Sequence, residues 1–392
     1  MSKSSRYEQR GVSPSKEEVM AAIRFLDKGL YPKAFCRILP DLVGSDDAFC
    51  NIMHADTAGT KPSLAYLYWK ETGEREIWKG IAQDALVMNL DDLACVGCTD
   101  RFVLSSTIGR NKHLIPGEII ELLIGGTVDF MESMANYGIE LFHAGGETAD
   151  VGDIVRTLDV GFSIFARMPR KDLIINQIKP GNVIIGLASF GQTSYEKTYN
   201  SGIGSNGLTN ARHDVLSATY REWFPESFDP AIPSELAYSG SKKLTDSITI
   251  DGDDHVIGEL LLSPTRIYLP VLKQVLKEFK DSVHGLVHCT GGGQTKVLKF
   301  IPEVVVMKDN LFEVPPVFKL IQQESGSSWK EMYQVFNMGH RMEIYTDRDV
   351  AESIIRICEI FALEAQVIGE VVAAPKKEVV IRSAEYGEFV YQ

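Results

Sequence analysis

The sequence predicts an α+β protein built from two domains. Apolar blocks alternate with helically spaced stretches, the organisation changes near Met168, and 392 residues with 44% hydrophobic content suffice for two ordinary cores. No uninterrupted apolar stretch approaches the ~20 residues that a membrane span requires. The opening MSKSSRYEQRG lacks the apolar centre of a secretory signal, so a cytosolic protein without membrane contact is expected. A formal net charge of -13 repels nucleic acid, and an anionic substrate must be held by local donors or a metal cation. Of the six cysteines only Cys95 and Cys98 are close, as CVGC, and no second pair completes a zinc site, so reduced buried thiols are expected.

The elements follow in order. NIMHADTAGTK reads as a strand running into a turn, WKGIAQDALVMNLDDLACVG as a helix, and RFVLSSTIG as a strand. IPGEIIELLIGGTVDFMESMANYG is a long helix, with Pro116 near its first turn and Gly138 at its end; IELFHAGG is the next strand. DIVRTLDVGFSIFARMPRKDLI supplies another strand, and the domains are set at 1–168 and 169–392. The second half opens with the turn Lys179-Pro180-Gly181 and the strand VIIGLASFG. A helix at PTRIYLPVLKQVLKEF, a strand and turn at GLVHCTGGGQTKVLKF and a helix at DVAESIIRICEIFALEA follow, before short terminal strands. Residues 220–254, rich in Pro, Ser, Asp and Gly, read as a long loop or insertion.

Five stretches carry chemistry. ADTAGTK gathers Asp56, Gly59, Thr60 and Lys61 at a strand end, where backbone N–H groups, an ammonium and a metal held by Asp56 can surround phosphate oxygens; an Asx-type turn with a solvated lysine is equally compatible. Asp84 and Asp91, two helical turns apart, share a helix face. Asp91 and Asp92 sit in an apolar run where carboxylates are costly unless a cation or donor meets them, and magnesium fits that role. HAGGETAD offers Gly145 and Gly146 for close backbone approach, Glu147 for metal or water, and Thr148; the bland alternative is a cap on the next segment. Ser205-Asn206-Gly207 stands at the mouth of a helix whose free N–H groups suit an anion, or is simply a capped helix. Thr290-Gly291-Gly292-Gly293 requires a tight loop or a ligand. His143, His288 and His340 show no ligand spacing and read as structural.

Taken in order, these stretches resemble the aminoimidazole ribonucleotide synthetase family, also called phosphoribosylformylglycinamidine cyclo-ligase. The resemblance runs from RYEQRGV at 6–12 through VVIR at 379–382. It includes Asp56 to Lys61, Asp91-Asp92-Leu93, Gly145 to Ala149, Ser205-Asn206-Gly207, LLSPTRIY at 261–268, HCTGGG at 288–293 and MYQVFNMG at 332–339. It implies two domains with mixed sheets and packed helices, a homodimer, and ATP-dependent closure of the imidazole ring of formylglycinamidine ribonucleotide through phosphorylation of its amide oxygen. By the same resemblance Asp56, Lys61, Asp92 and Glu147 are catalytic, and Asp56, Asp92 and Glu147 hold Mg²⁺. Gly59, Thr60, Lys61, Asp84, Asp91, Gly145, Gly146 and Thr148 then bind ATP, and Ser205, Asn206, Thr290, Gly291, Gly292 and Gly293 bind the ribonucleotide, with Lys296 and Arg341 expected as replacement phosphate contacts where the chain departs from the family. The chain departs from the family in four places. No glycine-rich loop precedes ADTAGTK, Gly204 stands where a histidine is expected, Gln294-Thr295-Lys296 follows the glycines, and Gly339-His340-Arg341 replaces a Gly-x-Gly. A non-catalytic nucleotide-binding paralogue, or another ATP-dependent member of the wider group, is the alternative.

Overall fold

The computed structural model describes residues 9–12 and 17–392; expectations placed on residues 1–8, including the start of RYEQRGV, lie outside the described residues. The first sheet holds β1 (Ile38–Pro40), β2 (Phe49–Thr57), β3 (Arg101–Arg110), β4 (Glu140–Asp150) and β5 (Leu158–Pro169), in the order β1-β2-β5-β3-β4. β3 and β4 run parallel and the other pairs antiparallel. After α1 (Glu17–Ile23), its helices are α2 (Lys61–Thr72), α3 (Ile77–Ala94) and α4 (Gly117–Ala135). Nearly every residue of α3 is buried, including Asp84, Asn89, Asp91 and Asp92. A helix without a solvated face lies between layers, and α3 packs on β2 and β5 on one side and on second-half residues 263–269 on the other.

The second sheet has seven strands in the order β14-β13-β10-β12-β6-β11-β9. They are β6 (Val183–Ala188), β9 (Val283–His288), β10 (Val304–Lys308), β11 (His340–Thr346), β12 (Ala365–Ala373), β13 (Glu378–Ser383) and β14 (Gly387–Tyr391). β6 and β11 are buried along their whole length, as expected of central strands covered on both faces. β11 nevertheless carries His340, Arg341 and Glu343, each of which requires a partner. Around the sheet lie α5 (Leu208–Val215), α6 (Thr219–Trp223), α7 (Ile257–Leu262), α8 (Leu269–Phe279), α9 (Pro316–Ser325), α10 (Trp329–Val335) and α11 (Ala351–Ile360).

Three local expectations are corrected. The strand expected to end at Gly146 does not: β4 continues through HAGGETAD to Asp150, so Glu147 and Thr148 are strand residues and no cap, and its glycines serve a register shift against β3. Gly145 has φ +91°, and a Cβ on Gly146 would stand 2.3 Å from Ser106 O, so only glycine lets the two strands meet there. The helix after SNG is capped by the left-handed Gly207 with no side-chain hydrogen bond, so neither Ser205 nor Asn206 is its N-cap. Residues 220–254 are not a bare loop, since they contain part of α6 and the hairpin of β7 (Ser247–Ile250) with β8 (Asp253–Val256).

Candidate active site at the domain junction

Asp92 is the centre of a buried polar chain joining the two halves. Its Oδ1 lies 2.6 Å from His288 Nδ1 at the end of β9, and its Oδ2 lies 3.2 Å from His54 Nε2 on β2. The neighbours fix the protons. Arg341 Nε donates to His288 Nε2 at 3.1 Å, so that nitrogen is an acceptor and Nδ1 carries the proton donated to Asp92. His288 is therefore neutral, and burial pushes its pKa down to about 4 despite Asp92. On the other side Asn89 Nδ2 donates to Ala85 O and Asp56 O, which turns Asn89 Oδ1 toward His54 Nδ1 at 2.9 Å. Both His54 nitrogens then face acceptors. Burial lowers the His54 pKa, but its bonds to Asp92 and Asn89 outweigh burial and raise it. Asp92 is likewise pushed up by burial and held below the usual carboxylate range by the two histidines.

Asp91 faces the second domain. Its carboxylate accepts from Tyr268 N at 3.0 Å and lies 3.6 Å from Arg341 Nη2, while burial raises its pKa to about 7 against those contacts. Arg341 Nη2 also donates to Arg266 O, and Nη1 lies 3.3 Å from where a Cβ on Gly204 would stand. The guanidinium thus fills the space beside Gly204.

The other sequence candidates fall into three groups. Thr60 Oγ1 lies 2.9 Å from Thr209 Oγ1 of α5, and Asp56 Oδ1 accepts from Thr57 N, on the same side of β2 as His54. Lys61 and Asp84 are fully buried; Lys61 Nζ donates to Asp84 Oδ1 at 2.8 Å and to Ser263 O at 2.6 Å, so this ammonium does not point at an open phosphate site. Gly59, with φ +60°, meets nothing around a built Cβ and stays open.

The glycine loop forms the second wall. Thr290 is buried two residues beyond β9 and receives a hydrogen bond from Lys296 Nζ at 3.3 Å. Gly291 is exposed and lies against Asn206, while Gly292 and Gly293 both take positive φ. Gln294 is fully buried and fixes the loop from beneath, donating to Asn337 O and His340 O and accepting from Lys308 Nζ. Cys289, His340 and Glu343 lie close enough for a metal, but Lys308 Nζ already donates to Glu343, which makes this a closed ion-paired core.

Glu147, Thr148, Gly145 and Gly146 lie on β4 at the other edge of the first sheet. Asp56 shares a rung with Phe162, Ser106 and Gly146, whereas Glu147 shares one with Thr107, Gly161 and Thr57. Successive residues alternate faces, so Asp56 and Glu147 are on opposite faces and three inter-strand spacings, roughly 14 Å, apart. Within one chain Asp56, Asp92 and Glu147 do not converge on one ion. Asp56 and Asp92 share a side, and their oxygen donors suit magnesium. His54 and Thr265 complete the site unanticipated as functional, and Arg341, expected as a phosphate contact, is instead buried against His288 and Asp91; the inward alternation of Ile52, His54 and Asp56 was the one available signal for His54.

Comparison with known proteins supplies the family. Residues 43–168 match AIR synthase related protein, N-terminal domain, and residues 179–382 match AIR synthase related protein, C-terminal domain. The chain is 31% identical over 292 residues to a phosphoribosylformylglycinamidine cyclo-ligase of Methanococcus vannielii, covering 74% of this chain and 70% of that protein. It is 26% identical over 390 residues to the protein of that name from Alkaliphilus metalliredigens, covering 95% and 97%. Its fold is similar to T. maritima PurL complexed with ADP (TM-score 0.52, 13% identity), covering 98% of this chain and 52% of that one, about half its length. It is also similar to hydrogenase maturation protein HypE in complex with ATP (TM-score 0.56, 14% identity), covering 87% and 84%. With both halves matched in order along the sequence, the chain belongs to the AIR synthase related family.

Proposed function

We propose that this protein is an ATP-dependent cyclo-ligase that closes formylglycinamidine ribonucleotide to aminoimidazole ribonucleotide in purine biosynthesis. The observation that carries the reading is the meeting, at the junction of two family-matched halves, of Asp92 with its histidines, the Thr290–Lys296 loop and the Ser205–Asn206 loop. ATP would supply the phosphoryl group that makes the amide oxygen a leaving group, and magnesium, which Asp56 and Asp92 would hold through the lone pairs not taken by Thr57 and the histidines, would balance the phosphate charge. The chain's own residues do the rest. Thr60 and the open backbone at Gly59 lie where phosphates enter, Lys296 sets a positive charge beside the glycine loop, and the buried Arg341 holds His288 in one tautomer so that Asp92 keeps its orientation.

We further propose that the working unit is a homodimer in the cytosol. The sheet face turned away from the helices exposes Met53 (62%), Phe142 (50%) and Val103 (40%), and β4 ends the sheet with an open edge. A second copy of the same face covers that apolar surface, and Glu147, on that face, is then delivered to the interface. Six unpaired, buried cysteines suit a reducing compartment, and among the described residues no helix is long and apolar enough to cross a membrane.

The test is incubation with formylglycinamidine ribonucleotide, ATP and Mg²⁺. Aminoimidazole ribonucleotide, ADP and phosphate are expected from the wild type, with at least about a hundredfold less from Asp92→Asn, whose amide N–H₂ must face a histidine N–H. ATP binding without product from the wild type would replace this reading with that of a nucleotide-binding paralogue.

A further inference from the structure

The Lys61–Asp84 pair is fully buried at the domain junction, and its hydrogen bonding is lopsided. Asp84 Oδ1 accepts from Lys61 Nζ (2.8 Å), from Thr265 N (2.8 Å) and from Thr265 Oγ1, while Oδ2 has no partner. All three donors converge on one oxygen, and the arrangement continues outward, because Thr265 Oγ1 lies 3.2 Å from Ser205 Oγ. A carboxylate paired with an ammonium only accepts, and a hydroxyl has a single proton. Thr265 gives its proton to Asp84, so Ser205 gives its own to Thr265. What Ser205 has left for a ligand is lone pairs. Next to it, Asn206 Oδ1 is a buried acceptor with no partner, in a side chain that lies against Gly291.

Two adjacent acceptors do not recognise a phosphate; they recognise N–H groups. We propose that Lys61, Asp84 and Thr265 are positioning residues that fix the direction of the Ser205 hydroxyl, so that Ser205 Oγ and Asn206 Oδ1 receive N–H groups from the amidine of the substrate. The inference rests on the cyclo-ligase reading for the identity of the substrate. It also separates the two loops by chemistry: the glycine loop with Lys296 takes the anionic end, and the Ser205–Asn206 loop takes the nitrogen end. The second tie between the same segments, Thr60 to Thr209, holds the far end of the Ser205 loop to the residue preceding Lys61.

The test compares, by calorimetry, formylglycinamidine ribonucleotide with the corresponding amide, which offers a carbonyl oxygen where the amidine offers N–H. The wild type is expected to prefer the amidine roughly tenfold, the worth of one good hydrogen bond against an acceptor facing an acceptor. Thr265→Val keeps the shape, frees the Ser205 hydroxyl to rotate and donate, and brings the preference close to one; Thr265→Ser restores it. Ser205→Ala loses the preference without touching the buried pair, and Ser205→Ala/Thr265→Val is no worse than Ser205→Ala alone. An unchanged preference in Ser205→Ala or in folded Thr265→Val, a wild type without preference, or additive losses in the double variant overturns the inference. A wild type that discriminates yet makes no product leaves the inference standing and removes the cyclo-ligase reading.

Discussion

Single atoms decide how tightly this site is specified. Gly293 has φ +50°, and a Cβ there would stand 2.6 Å from Phe336 O and 2.7 Å from Tyr333 O, both backbone atoms that cannot swing aside. Gly293→Ala is expected to lower stability by roughly 2 kcal/mol or more, through strain and overpacking together. It should also displace Thr290 and Lys296, which share its loop; urea denaturation against the wild type measures the first effect. His54 makes the same point by electrostatics. Only its inward place in the strand marks it in the sequence, yet Asn89, oriented by two carbonyls, and Asp92 turn acceptors toward both of its ring nitrogens and so favour the protonated ring.

Elements show how much could be read in advance. The strand and turn around Asp56 to Lys61 follow from apolar periodicity and from the glycine in the turn, and the structure has the strand as β2; α2, which begins at Lys61, was not anticipated. The carboxylates of α3 were legible as an anomaly, because acids inside an apolar run demand partners. The identity of those partners was not, since His288, Arg341 and Thr265 come from strands and loops 170 or more residues later and no local pattern announces the pairing. HAGGETAD was legible only in part for a related reason: a glycine pair reads as the end of a strand when the neighbouring strand that it must approach is out of view. The edge strand β4 yields its own prediction. Phe142→Glu places a charge on the exposed apolar face, and light scattering after size-exclusion chromatography should report a dimer for the wild type and a monomer for the variant, with an unchanged far-UV spectrum.

The whole molecule depends on charges sealed inside the second domain. Burial raises the Glu343 carboxyl, but Lys308 and His340 outweigh it and hold it at about 2, against an ordinary 4.5. A depressed carboxyl pKa contributes stability that is present above the unfolded value and lost as pH falls toward the folded one. Wild-type unfolding free energy should therefore decline between about pH 4.5 and 2 more steeply than that of Glu343→Gln. At pH 7 Glu343→Gln should itself be less stable by about 3 kcal/mol, because Lys308 is left buried without its counter-charge. Chemical denaturation across that range checks both statements.

Arg10 adds a matter of timing. Its guanidinium is buried against Asn210, Asp214, Leu236 O and Ser239, residues about two hundred or more positions further on. A chain emerging from the ribosome from its N-terminus makes Arg10 long before its berth exists, so this contact closes only after the segment through Ser239 has been synthesised and folded. Arg10, made about two hundred residues earlier than its partners, is thus fastened late, and what it fastens is α5, the helix that continues from the Ser205–Asn206 loop.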